Sequence, residues 1–96
     1  MANIRSVKFV TKAGYEFHES VDWYESKTNG LGFRFIDEID STIERIKLNP
    51  ELYPTVADDI RKIQVNKFPF PVFYTIQDDL LVILRLFHNK RKPIEW

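Results

Sequence analysis

The chain contains no cysteine, which excludes a disulfide framework and any thiolate metal site. Its only histidines are His18 and His88, too few for a zinc site made by the protein alone, and no metal or cofactor is expected. Glycine is scarce. Gly30-Leu31-Gly32 lacks both the third glycine and the preceding strand of a phosphate-binding loop. No serine sits in a nucleophile-elbow context. Long apolar runs are missing too: the longest, Leu80 to Leu84, is far too short to cross a bilayer, and the N-terminus has no apolar signal region. The expectation is a cytoplasmic protein without a membrane partner. Net charge is also absent, with 14 Lys/Arg against 14 Asp/Glu, so no bulk field draws the chain to nucleic acid or lipid.

Aromatic residues, by contrast, are plentiful. Eight Phe, four Tyr and two Trp in 96 residues supply enough apolar area for a single domain, 1–96, to build a core without staples. The charges are unevenly spread. Residues 1–60 carry 7 Lys/Arg against 11 Asp/Glu, and residues 61–96 carry 7 against 3, which puts a modest basic surface on the C-terminal part.

The β-branched and aromatic residues Ile4 to Thr11 read as a strand. Ala13, Phe17, Val21 and Tyr24 then share one face of a helix over about 12–27, with Glu16, Glu19, Asp22 and Glu25 off that stripe. Thr28-Asn29-Gly30 ends it. A second helix starts near Leu31 or Gly32 with a face of Leu31, Phe35, Ile39, Ile43 and Ile46, and stops at Asn49-Pro50. The short link makes the two helices antiparallel neighbours. From Arg61 the period becomes two: Ile63 and Val65 alternate with polar residues, Val72 to Ile76 form another strand, and Gln77-Asp78-Asp79 turns the chain. Leu80 to Phe87 is apolar on both faces apart from Arg85, as in a covered central strand. The expected fold is α+β, in the order β-α-α-β-β-β, with an antiparallel helix hairpin packed on a mainly antiparallel four-stranded sheet.

The polar set that stands out is C-terminal: Arg61, Lys62, Lys67, Tyr74, Arg85, His88, Lys90, Arg91 and Lys92. Arg85 interrupts an apolar strand, and a buried cation there calls for a carboxylate partner, from a helix or from the tail, such as Glu95. His88 ends the same strand, where a structural, hydrogen-bonded role is the simpler reading. Asp37, Glu38 and Asp40 read as a solvated helix face. Trp23 and Tyr24 are adjacent on one helix and cannot both point inward; Trp23, Phe33 and Trp96 are candidate anchors for a protein partner.

Four segments together resemble the toxins of RelE/ParE-type toxin–antitoxin, or plasmid stabilisation, modules of bacteria. They are Ala13 through Val21-Asp22-Trp23-Tyr24-Glu25; Gly30-Leu31-Gly32-Phe33-Arg34-Phe35; Asn49-Pro50 with Tyr53-Pro54; and Phe68-Pro69-Phe70-Pro71-Val72-Phe73-Tyr74 leading through Val82–Leu86 to His88 and Arg91-Lys92-Pro93. The resemblance implies a growth-inhibiting protein neutralised by a cognate antitoxin. It leaves two mechanisms open. RelE-like members cleave messenger RNA in the ribosome without a metal, and ParE-like members poison DNA gyrase. Under the first, the endoribonuclease reading, His88 is the proton-transfer residue, Arg85, Arg91 and Lys67 stabilise phosphate charge, and Tyr74 is a positioning group. Two departures weigh against it: Phe70-Pro71 stands where RNA-cleaving members often carry an arginine, and the chain is neutral where ribosome-bound members are basic. The alternatives are a non-cleaving toxin directed at gyrase, or an inactive module that retains antitoxin binding.

Overall fold

Both apolar stripes become helices, and the sheet they cover holds one strand more than the pattern announces. The computed structural model describes residues 3–88. It runs β1 (Ser6–Phe9), α1 (Thr11–Lys27), α2 (Leu31–Leu48), β2 (Thr55–Ala57), β3 (Ile60–Gln64), β4 (Pro71–Gln77) and β5 (Leu80–Leu86). The strands form one mixed sheet in the order β1-β5-β4-β3-β2, and the two helices pack on it. The expected four strands are corrected to five. β2 is only three residues long, with Thr55 and Val56 exposed, so it has no alternation to read. Its pairing with β3, Thr55 on Arg61 and Ala57 on Ile60, makes it a strand. β2 to β5 form an antiparallel meander, whereas β1 joins β5 in parallel, Val7 beside Leu81 and Phe9 beside Ile83. β5 is therefore an interior strand. Among the described residues no helix is long and apolar enough to cross a membrane.

The core lies between the helices and one face of the sheet. Phe35, Ile39 and Ile46 of α2 are buried with Ile63, Val72, Tyr74, Leu81, Ile83 and Leu86. Ile43, expected on the same face, is half-buried, and Thr42 is buried in its stead. Thr42 tolerates this because its hydroxyl donates to the Glu38 carbonyl, 2.7 Å away. In α1 the buried residues are Ala13, Glu16, Ser20 and Tyr24, so the face is rotated from the expected one, and Phe17 and Val21 are half-buried at its side. Tyr24 turns inward and Trp23 stays 54% exposed, as their adjacency requires.

Two of the four acidic residues placed off the apolar stripe of α1 have structural work. Glu25 reaches from α1 to the start of α2 and accepts backbone N–H bonds from Gly30 (2.9 and 3.1 Å) and Gly32 (3.0 Å). Gly30 holds φ +86, and no side chain at that position caps α2, so the neighbouring helix provides the carboxylate that the orphan amides and helix dipole favour. A Cβ on Gly32 would meet Glu25 Oε1 and the Val21 carbonyl at 3.0 Å, so this glycine lets the helices close. The second residue, Glu16, bears on the candidate site.

Candidate functional site

Of the five residues singled out from the sequence, the four that are described do not share one surface. Tyr74 lies in the middle of β4, fully buried, and its hydroxyl donates to the Pro50 carbonyl at 2.8 Å, fastening the segment after α2 to the sheet. Burial pushes its phenol up to about 12, against a smaller opposing pull from Arg61. Arg61 secures the same segment by donating to the carbonyls of Glu51 (3.1 Å) and Tyr53 (2.6 Å).

Arg85 sits where β5 loses its neighbour. β1 pairs only as far as Phe9 with Ile83, and α1 then covers the open edge. Arg85 and Phe73 are partners across β4 and β5, with Leu84 as an extra residue in the register. From there the guanidinium lies 5.1 Å over the Phe87 ring and forks onto Glu16: Nε donates at 3.0 and 3.1 Å, and a terminal nitrogen at 2.8 Å. Glu16 also accepts the Leu86 backbone N–H at 3.2 Å. One carboxylate thus replaces the missing strand and neutralises the cation. Its hydrogen bonds hold Arg85 above the ordinary arginine range, with desolvation opposing. The expected carboxylate partner of Arg85 comes from a helix; Glu95 lies outside the described residues. Glu16 was missed as a partner because apolar spacing alone defined the stripe. Ala13, Glu16, Ser20 and Tyr24 are themselves helically spaced, which is the signal that could have found it.

Lys67 precedes the segment 68–70, and His88, just after β5, packs against its last residue. Lys67 occupies the β3–β4 turn with φ +68 and is exposed. The turn is tied by the Val65 N–H to the Phe70 carbonyl (2.8 Å) and by the Gln64 amide to the carbonyls of Phe68 and Phe70 (3.3 and 3.0 Å). His88, half-buried, meets the Phe70 ring edge-on with centroids 5.7 Å apart. Arg91, Lys90, Lys92 and Trp96 lie outside the described residues. Of the described candidates, then, Lys67 is exposed in a turn, His88 packs on Phe70, Arg85 is engaged by a carboxylate, and Tyr74 is sealed in the core.

A groove of about 550 Å³ opens beside this turn, between the start of α2 and the segment 67–69. Tyr24, Leu31, Phe68 and Pro69 give it apolar walls, and Arg34, Asp37, Glu38 and Lys67 supply its charges. The Glu38 Oε2 atom is buried and has no hydrogen-bond partner. No group of His, Asp and Glu among the described residues could hold a metal ion.

Solved structures share this architecture. The chromosomal ParDE toxin–antitoxin system of P. aeruginosa contains a chain with TM-score 0.73 and 16% identity, covering 91% of this chain and 98% of that one. The intact E. coli RelBE toxin–antitoxin complex gives TM-score 0.66 at 12% identity, over 88% of this chain and 96% of that one. A conserved hypothetical protein of Helicobacter pylori gives 0.59 at 18%, over 95% and 98%. At such identities the likeness establishes the fold. Among curated proteins none matches the chain by sequence. A family model, the ParE toxin of the parDE type II toxin–antitoxin system, matches residues 7–93, nearly the whole chain. With the helix hairpin and meander already in place, that match decides the family: the chain belongs to the ParE toxins of type II toxin–antitoxin systems.

Proposed function

We propose that this toxin is held in check by a cognate antitoxin and acts on its target by binding, with DNA gyrase as that target, and without cutting RNA. The observation that carries the reading is the engagement of Arg85 and Tyr74. Metal-free RNA cleavage needs a base for the 2′-hydroxyl, an acid for the leaving oxygen and a free cation on the phosphate. Arg85 spends its guanidinium on Glu16, and the Tyr74 hydroxyl is buried at the Pro50 carbonyl. Among the described residues, two of the candidates are thus committed to structural contacts and not available for that chemistry. The antitoxin reading draws support from the P. aeruginosa ParDE and E. coli RelBE structures, both of which are toxin–antitoxin assemblies.

The test is inducible expression in a bacterial host, scoring growth, message ends on translating ribosomes, and trapped gyrase–DNA complexes. Growth arrest with trapped gyrase and intact messages is expected, together with rescue by the product of the neighbouring gene. Message cleavage that His88→Ala abolishes would replace this reading with the RNA-cleaving one. Expression without growth arrest would leave an inactive antitoxin-binding module.

A further inference from the structure

We infer that the helix-free face of the sheet is the docking surface for the chain's own last segment, residues 89–96, seated there by Ile94 and Trp96. The two helices pack on the face that carries Ile63, Val72, Tyr74, Leu81 and Ile83. Side chains alternate across a strand, so Phe73, between Val72 and Tyr74, and Val82, between Leu81 and Ile83, project from the other face. Phe87 belongs with them, its ring stacked on Phe73 at 5.8 Å and 15°. Among the described residues no helix or strand is layered over this face, since all five strands lie in one sheet and both helices cover the opposite side. Yet Phe73 is only 8% exposed, Phe87 7% and Val82 5%. The Arg85 guanidinium, 5.1 Å over the Phe87 ring, shields one side of that ring. Burial of Phe73 and Val82 calls for a further cover, and Phe87 is not the sole partner of Phe73.

Of the two ends of the chain, one reaches this patch. Residues 1–2 precede β1, whose Ser6 pairs with Leu80, at the far end of β5 from Phe87. Residues 89–96 follow directly from His88, one position beyond Phe87. The stretch His88-Asn89-Lys90-Arg91-Lys92 is polar and long enough to turn the chain back, since tight reversals take about 2–5 residues. Pro93 then biases Lys92 toward extended backbone. In an extended Pro93-Ile94-Glu95-Trp96 the apolar Ile94 and Trp96 fall on one side and Glu95 on the other, the alternation of a segment with one buried face. At about 3.3 Å per residue the stretch from His88 to Ile94 spans up to about 20 Å, well beyond the single ring contact between Phe87 and Phe73. An indole buries about 150–250 Å², enough to roof both rings. So placed, the segment closes an apolar surface that would otherwise be open to a second protein.

The experiment is NOE spectroscopy on the full-length chain carrying Trp23→Phe, a change at an exposed position that leaves Trp96 as the single indole. Contacts from the Trp96 indole and the Ile94 methyls to Phe73, Val82 or Phe87 are expected. In a mixture of labelled and unlabelled chains those contacts should stay within one chain. Contacts found only between chains would make a second copy the occupant and overturn the docking of the chain's own segment. Indole contacts to Tyr24 or Phe68 instead, or none to the sheet, would overturn it as well. Fluorescence of the same variant is a second readout: blue-shifted emission is expected, with acrylamide quenching several-fold weaker than in the urea-unfolded chain. Solvent-like emission from the folded protein would count against the docked segment. Ile94→Asp, introduced alongside Trp23→Phe, should move emission and quenching toward their unfolded values while the amide spectrum of β3 to β5 persists, because it alters only the segment that docks. Unchanged emission in that variant would overturn the seating by Ile94.

Discussion

Removing the Glu16 carboxylate would leave Arg85 a half-buried cation without its partner and the Leu86 N–H without an acceptor. Breaking such a pair from one side costs about 3–5 kcal/mol, so Glu16→Ala should lower the denaturant midpoint steeply at unchanged slope. Glu16→Gln, which retains an acceptor for Leu86, should lose less. Tyr74 predicts a pH effect of definite sign. Its folded pKa, about 12, lies above the ordinary tyrosine value of 10.0, so its contribution is complete below pH 10. As pH rises from 10 through about 12 the unfolded chain gives up the phenol proton first, and stability falls. Tyr74→Phe should abolish that part of the alkaline loss, at a cost of about 1 kcal/mol near neutral pH from the lost hydrogen bond to Pro50. Stability measured against pH for both proteins checks this.

Helix α2 anchors the core through Phe35, Ile39 and Ile46. Ile39 is 2% exposed, and Ile39→Ala should cost about 2–5 kcal/mol by transfer and cavity effects together. A loss within about 0.5 kcal/mol in equilibrium unfolding would contradict that packing. The α1–α2 connection makes its own prediction. Glu25→Ala removes the acceptor for Gly30 and Gly32 and should cost about 1 kcal/mol, the usual worth of a helix cap, although this one comes from another helix. Gly32→Ala should destabilise more than an ordinary glycine replacement, since the Val21 carbonyl at 3.0 Å is backbone and cannot swing aside.

Across the whole molecule, protection should follow the sheet order. β5 and β4 are paired on both sides, so the amides of Ile83 and Tyr74 should exchange near the global unfolding limit, and those of β2, a short edge strand, should exchange fastest among the strands. Partner binding adds a stability that depends on concentration. A neutralising antitoxin should raise the melting temperature as its excess over Kd grows, and no shift at saturation would count against it.

The helices and the later strands were legible because their signals are local. A stripe such as Phe35, Ile39 and Ile46 repeats within one turn or two, and Ile63 and Val65 alternate with polar residues over the end of β3 and the position just after it. The α+β class followed from those elements and their short connections, and Arg85 announced its need for a carboxylate by its apolar surroundings. Which carboxylate answered was a matter of tertiary structure, since Glu16 and Arg85 are 69 residues apart and meet only because β1 stops short and α1 crosses the open edge. The same holds for the parallel pairing of β1, for β2, which exists only through β3, and for the groove, whose walls come from α1, α2 and the β3–β4 turn. His88, Lys67 and Tyr74 were chosen by residue type, and type specifies what a side chain does when it is free. Whether it is free depends on what the rest of the chain packs against it, and that is written in no single segment of the sequence.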